Sequence, residues 1–147
     1  MAVFQTLAAR RKEAAPAAYA SGLDITTVTD FTFSSNYVAA ADRLELFALP
    51  AGARLLSLRL IFANIGAVNT TLGVVSGDFG TTDNARTVGT ELFSAQTMAN
   101  AEVTVPLAAC LALGRDQTKH RGIGMRPASD IAAGGTKTVT VVATYQF

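Results

Sequence analysis

From Asp24 onward the chain alternates apolar and polar side chains with a period of two, the signature of half-buried strands. Asp24 to Phe33 is dense in β-branched and aromatic residues, which suit a pleated surface, and forms a first strand with room for a bulge. Arg43 to Ala48 alternates next, and Leu49-Pro50-Ala51-Gly52 supplies a turn. In the following run, Ala53 to Ala63, strict alternation sets Leu56, Leu58, Leu60 and Phe62 on one face and Leu55, Ser57, Arg59 and Ile61 on the other. Asn69 to Val75 is a further strand, followed by a Gly, Asp and Thr-rich loop from Ser76 to Gly89. Glu91 to Met98 is expected to form a short helix capped by Thr90, and Val103 to Val105 is extended. Pro106 to Leu113 suits a strand but suits a helix better, with Pro at the first helical position and Gly114 just past the end. Ile123 to Met125 is a short strand. After the turn at Gly134-Gly135, Lys137 to Phe147 sets Val139, Val141, Ala143, Tyr145 and Phe147 against Thr138, Thr140, Val142, Thr144 and Gln146. About seven or eight strands with no recurrent long helix between them predict an all-β, antiparallel β-sandwich with one or two short helices. A jelly-roll-like arrangement is its most economical form.

The opening stretch differs. Residues 1–22 are Ala-rich and carry Arg10-Arg11-Lys12 ahead of Pro16, with Phe4, Leu7 and Ala8 at helical spacing. A helix that short is marginal alone. We therefore divide the chain into an N-terminal arm, residues 1–22, and a sandwich domain, residues 23–147. The arm combines apolar anchors with cations, so Phe4, Leu7, Arg10, Arg11, Lys12 and Tyr19 are its candidate partner-binding residues.

Composition changes this picture in one respect. Of the 147 residues half are apolar but only 16% are charged, against roughly a quarter in an average globular protein. Much of the surface must then be neutral, as expected of surface that a partner covers. A net charge of +1, with basic residues spread along the chain, provides no basic face for nucleic acid. No window approaches the length of a membrane span, and Met1 to Ala20 lacks the pattern of a secretory signal, so synthesis in the cytoplasm is expected. The lone Cys110 cannot form an internal disulfide and is expected to be buried and inert.

Candidate chemistry is thin. The lone His120 lies between Lys119 and Arg121, whose charges oppose its protonation, and is expected to be a solvated loop residue. One Cys and one His cannot make a zinc set. Ser76 to Asn84 holds the best oxygen donors for calcium but lacks the ligand ladder and closing Glu of an EF-hand, so turn chemistry is the better reading. Asp78-Phe79-Gly80, Gly134-Gly135-Thr136-Lys137-Thr138 and Asn69-Thr70-Thr71 mimic a kinase triplet, a phosphate loop and a glycosylation sequon, each without its required context. Nothing singles out a carboxylate pair among Asp24, Asp30, Asp42, Glu45, Asp78 and Asp83 for sugar hydrolysis. The expectation is a protein that is not an enzyme, without catalytic, metal or cofactor-binding residues.

The stretch from Asp42-Arg43-Leu44-Glu45-Leu46-Phe47-Ala48 through Leu49-Pro50-Ala51-Gly52-Ala53 to Leu60 resembles small structural proteins of tailed-bacteriophage heads. There, a strand ending in Leu-Pro-Ala-Gly-Ala leads through a hydrophobic strand to an Asn or Asp-Gly loop and a Thr-Thr-Leu strand. Here Asn64 to Val74, Ser76-Gly77-Asp78 and the strand ending at Tyr145 match that continuation. The chain is thus similar to capsid decoration, or cement, proteins. The resemblance implies a virion protein on the capsid exterior, assembled in the host cytoplasm, that clamps neighbouring subunits of the major capsid protein, often as a homotrimer. It implies no nucleic-acid or membrane partner. A head-fibre or tail-associated subunit, or a carbohydrate-binding module, are the alternative readings of such a sandwich.

Overall fold

In the computed structural model, residues 3–5 and 23–147 are described. They form nine strands and one short helix in two packed sheets. The strands are β1 (Val3–Gln5), β2 (Asp24–Thr32), β3 (Arg43–Leu49), β4 (Arg54–Ala63), β5 (Val68–Val75), β6 (Phe93–Met98), β7 (Glu102–Thr104), β8 (Arg121–Pro127) and β9 (Thr138–Gln146); the helix, α1, is Leu107–Ala112. One sheet runs β1-β3-β8-β5-β6 and the other β2-β9-β4-β7. Every pairing is antiparallel except β1 with β3. Strands close in sequence thus divide between the sheets, giving the all-β, antiparallel-rich sandwich expected from the period-two pattern.

Apolar positions of both sheets meet between them. Leu55, Leu58, Leu60 and Phe62 of β4 face the same interior as Val139, Val141, Ala143 and Tyr145 of β9, each pair in register across the strands. Each large side chain removed from water here contributes roughly 1.5–3 kcal/mol. The phase of β4 is a correction to strict alternation. The register shifts between Leu55 and Ser57, so the bulge turns Leu55 inward and leaves Leu56 half-buried. By contrast β2 is straight, with no shift along its pairing with β9 and so no bulge.

Two further elements depart from expectation. Glu91 to Met98 is not helical: β6 pairs with β5, and Ala95 takes a positive φ of 56° where that register shifts. The open edge of β5 offers Phe93–Met98 inter-strand hydrogen bonds, and this tertiary partner outweighs weak helix propensity. The second departure is in the arm, where Val3–Gln5 joins the first sheet as β1. Helix α1 does form over the expected residues, with Gly114 at φ 59° just beyond it. It carries Cys110 into the core, where burial raises the thiol's pKa. The Arg121 guanidinium donates to the Leu113 and Gly114 carbonyls at 2.7 and 2.8 Å, satisfying acceptors the helix leaves open.

At one end of the core Phe31 and Phe33 meet edge to face at 5.0 Å, and Phe33 meets Tyr37 in the same way. The Tyr37 hydroxyl donates to the Asp42 carbonyl at 3.1 Å. Tyr145 lies equally deep, and burial pushes its pKa to about 12 and that of Tyr37 well above the usual tyrosine range. Both phenols therefore stay neutral in the fold at a pH where the unfolded chain ionises. Their contribution is complete below pH ~10 and falls as pH rises from ~10 through the folded-state values, by on the order of 1.4 kcal/mol per pH unit for each group. Urea midpoints should accordingly hold between pH 7 and 9 and drop steeply by pH 11. A flat profile to pH 11 would contradict this placement of the phenols.

Candidate interaction surface

The outer face of β2-β9-β4-β7 is built mainly from Thr and other neutral side chains, with charges at Asp24, Asp30, Arg54, Arg59 and Glu102. Cross-strand register sets it out in rows: Thr26, Thr144 and Ser57; then Val28, Val142, Arg59 and Thr104; then Asp30, Thr140, Ile61 and Glu102; then Thr32, Thr138 and Ala63. The charges are local. Arg59 and Glu102 pair with each other at 3.1 Å, and Asp30 accepts from the Thr140 hydroxyl at 2.6 Å. Thr26 and Thr144 share a hydroxyl hydrogen bond of 2.9 Å. Apolar groups stand exposed among these residues, Val28 being 63% and Ile61 40% exposed. This face is the largely neutral surface that composition required but could not locate.

On the opposite sheet the chain folds back as a cap over β3 and the adjoining part of β8, whereas Ser94 to Thr97 of β6, Asn69 and Arg126 stay exposed. All seven residues of β3 are buried, Arg43 and Glu45 among them. Glu45 ties three segments together. Its carboxylate accepts the Arg86 guanidinium at 2.5 and 3.1 Å, the Gln5 side-chain amide at 2.9 Å and the Gly80 backbone N–H at 3.1 Å. Arg86 also donates to the Ser76 and Thr81 carbonyls, each at 2.7 Å. A buried carboxylate and guanidinium are tolerable only when paired and hydrogen-bonded in this way. Glycines at positions 73 and 122 make room for these groups, since a Cβ there would run into Glu91 and Gly89 or into Glu45.

Of the six candidate partner-binding residues in the arm, Phe4 lies among the described residues, whereas Leu7, Arg10, Arg11, Lys12 and Tyr19 lie outside them. The Phe4 ring packs on Phe31 and Tyr37 at centroid distances of 6.3 and 5.8 Å. Half-buried, it packs against the chain's own core. Three residues pairing with an edge are too few to show a period, and for that reason β1 was not legible in the sequence.

The motifs in the loops act locally. Asp83 accepts the Ala85 N–H at 2.9 Å, and the Asp78 carbonyl accepts the Thr81 hydroxyl at 2.9 Å, both ordinary turn contacts within the cap. Among the described residues no cluster of three metal-capable side chains occurs. Gly134 donates to Phe33 and accepts from Lys137, closing the turn before β9. The exposed His120 accepts the Ala51 N–H at Nδ1, 3.1 Å away, and so supports the Leu49-Pro50-Ala51-Gly52 turn. These side chains are separately engaged in turns, and none of the contacts forms a nucleophile–base pair.

No protein-family model matches the chain, and no curated protein matches it in sequence. Solved structures do match. A chain in the capsid of Ralstonia phage GP4 superposes with a TM-score of 0.85, covering 98% of this chain and 97% of that one at 24% identity. A chain of the cyanophage Pam1 capsid asymmetric unit follows with a TM-score of 0.57, 22% identity and 91% of each chain covered. The shared feature is the fold, over nearly the whole length of both neighbours.

Proposed function

We propose that this protein is a non-enzymatic structural component of a phage virion, a decoration protein that binds the capsid exterior across neighbouring subunits of the major capsid protein. The end-to-end match of fold with a chain of a phage capsid carries this reading. The surface chemistry supports it: β3 is covered by the chain's own loop, and the other sheet presents a largely neutral Thr and Val face suited to contacts repeated over many copies. Affinity then comes from neutral area multiplied by copy number rather than from one strong site. The arm residues Leu7, Arg10, Arg11, Lys12 and Tyr19 supply a second contact, anchored to the sandwich through β1.

Because β1 belongs to the sheet, deleting the whole arm would test two things at once. The cleaner variant is the triple substitution R10A/R11A/K12A, which leaves β1 in place. Mixed with undecorated heads and sedimented, the intact protein should co-sediment to saturation. The triple variant should keep the same melting temperature but lose occupancy at least several-fold at low salt, where three cations count most. Failure of the intact protein to bind heads, together with binding on a glycan array, would replace decoration by a carbohydrate-binding role. Equal occupancy of the two proteins would remove the arm's cations from the contact.

A further inference from the structure

We propose that β2 is a self-complementary docking edge through which two copies of the chain join antiparallel about Val28, fusing their four-stranded sheets into one of eight strands. One side of β2 is fully taken by β9, in nine consecutive pairs from Asp24 with Gln146 to Thr32 with Thr138. Along the other side no described strand pairs with it. Exposed edges of this length are normally blunted by Lys, Pro, a bulge or a covering element, since their free N–H and C=O groups recruit another strand. β2 contains no Lys, Arg or Pro and no register shift, and its central residue, Val28, is 63% exposed.

The order of side chains selects the occupant. With a twofold axis at Val28, Asp24 stands opposite Thr32 of the second copy, Thr26 opposite Asp30, and Val28 opposite its own equivalent, over the full nine residues. No like charges meet. Sliding the axis to Thr27 places Asp24 opposite Asp30 twice, and to Asp30 sets that carboxylate against itself, which opposed pairs in a sheet disfavour. Asp30 already accepts Thr140, and Thr26 already bonds Thr144. In the pair, the row Thr140–Asp30 therefore continues into Thr26–Thr144 of the second copy. Residues of equal parity meet, so the neutral faces of both copies merge into one surface on the order of 35 Å across the strands. Such a contact is isologous and gives a twofold dimer, whereas the threefold ring implied by the family resemblance needs a heterologous contact.

This inference is independent of the virion reading and is tested on the protein alone. Sedimentation velocity of the intact chain over the micromolar range should show a dimer. V28K places two lysines opposite each other at an exposed position; it should leave the melt of the monomer unchanged and weaken dimerisation by roughly tenfold or more. In V28C the opposed Cα atoms would be about 4.5–5.5 Å apart, within disulfide range, so mild oxidation should yield a covalent dimer. I61C, on the same face but two strands in from the edge, should not cross-link, and the buried Cys110 is shielded. A monomer at high micromolar concentration, a trimer, an association untouched by V28K, or equal cross-linking of V28C and I61C would each overturn the proposal.

Discussion

Replacing Glu45 by Ala should destabilise the sandwich by about 3–5 kcal/mol, the range for breaking a buried ion pair from one side. The substitution leaves the Arg86 guanidinium, only 3% exposed, without its counter-charge, and orphans the Gln5 amide and the Gly80 N–H as well. Those donors belong to β1, to the loop after β5 and to Arg86 at its far side, so the loss should be spread over distant segments. Urea unfolding gives the magnitude, and limited proteolysis should show new cleavage between residues 76 and 92 before the global transition. Replacing both partners, as in E45M/R86M, should cost less than E45A, because no buried charge is then left alone. The recovery should be partial, since the Ser76 and Thr81 carbonyls also lose their donor. An E45A protein within about 1 kcal/mol of the parent would show that the cap is held by packing instead, since even one net hydrogen bond to a charged group is worth about 1.5–3 kcal/mol.

Gly73→Ala should cost about 2–3 kcal/mol, at the upper end for overpacking a well-filled site. The new Cβ would meet the Glu91 carboxylate and the Gly89 carbonyl. Glu91 can swing aside only by giving up the Val74 N–H that its Oε2 accepts at 3.0 Å. Gly89 cannot retreat easily either, because its N–H donates to the Val74 carbonyl at 2.9 Å. Gly135→Ala is the matched control. A Cβ there meets nothing within 4 Å, so the change should fall within about half a kcal/mol or stabilise slightly by restricting the unfolded chain. Thermal or urea melts of the two variants separate the alternatives, and equal midpoints would mean that the loop does not pack on Gly73 in solution.

Both substitutions address how the loop after β5 packs on the first sheet. Part of the first sheet's outer face is taken up by Glu45, Arg86 and glycines 73 and 122, whereas the Thr and Val rows of β2, β9 and β4 stay open. An edge pairing through β2 would extend those rows across two copies without disturbing the cap, which lies on the other sheet.

By itself, the sequence determined those features whose information is local. The alternation in Lys137 to Phe147 put Tyr145 on one face with Val139 and Val141, the face that is buried, and Pro106 with Gly114 bounded α1. The lone cysteine and lone histidine argued against thiol, zinc and acid-base chemistry from type and number alone. Tertiary structure decided whatever depends on a distant partner. Alternation in β4 was read one residue out of phase at Leu55 and Leu56, because a bulge is set by the neighbouring strand and leaves no mark on a period-two pattern. In β3 the alternation of Arg43, Leu44, Glu45 and Leu46 suggested a half-exposed strand, yet every residue is buried, since a loop some forty residues later brings Arg86 onto Glu45. Residues 93–98 became a strand because β5 had an open edge to fill, and Val3–Gln5 joined β3 through Phe4 and Gln5, whose partners lie up to forty positions away. Which face stayed exposed followed from those same long-range choices: a strand's period shows that it has two faces, but only the chain folding over one of them decides which remains exposed.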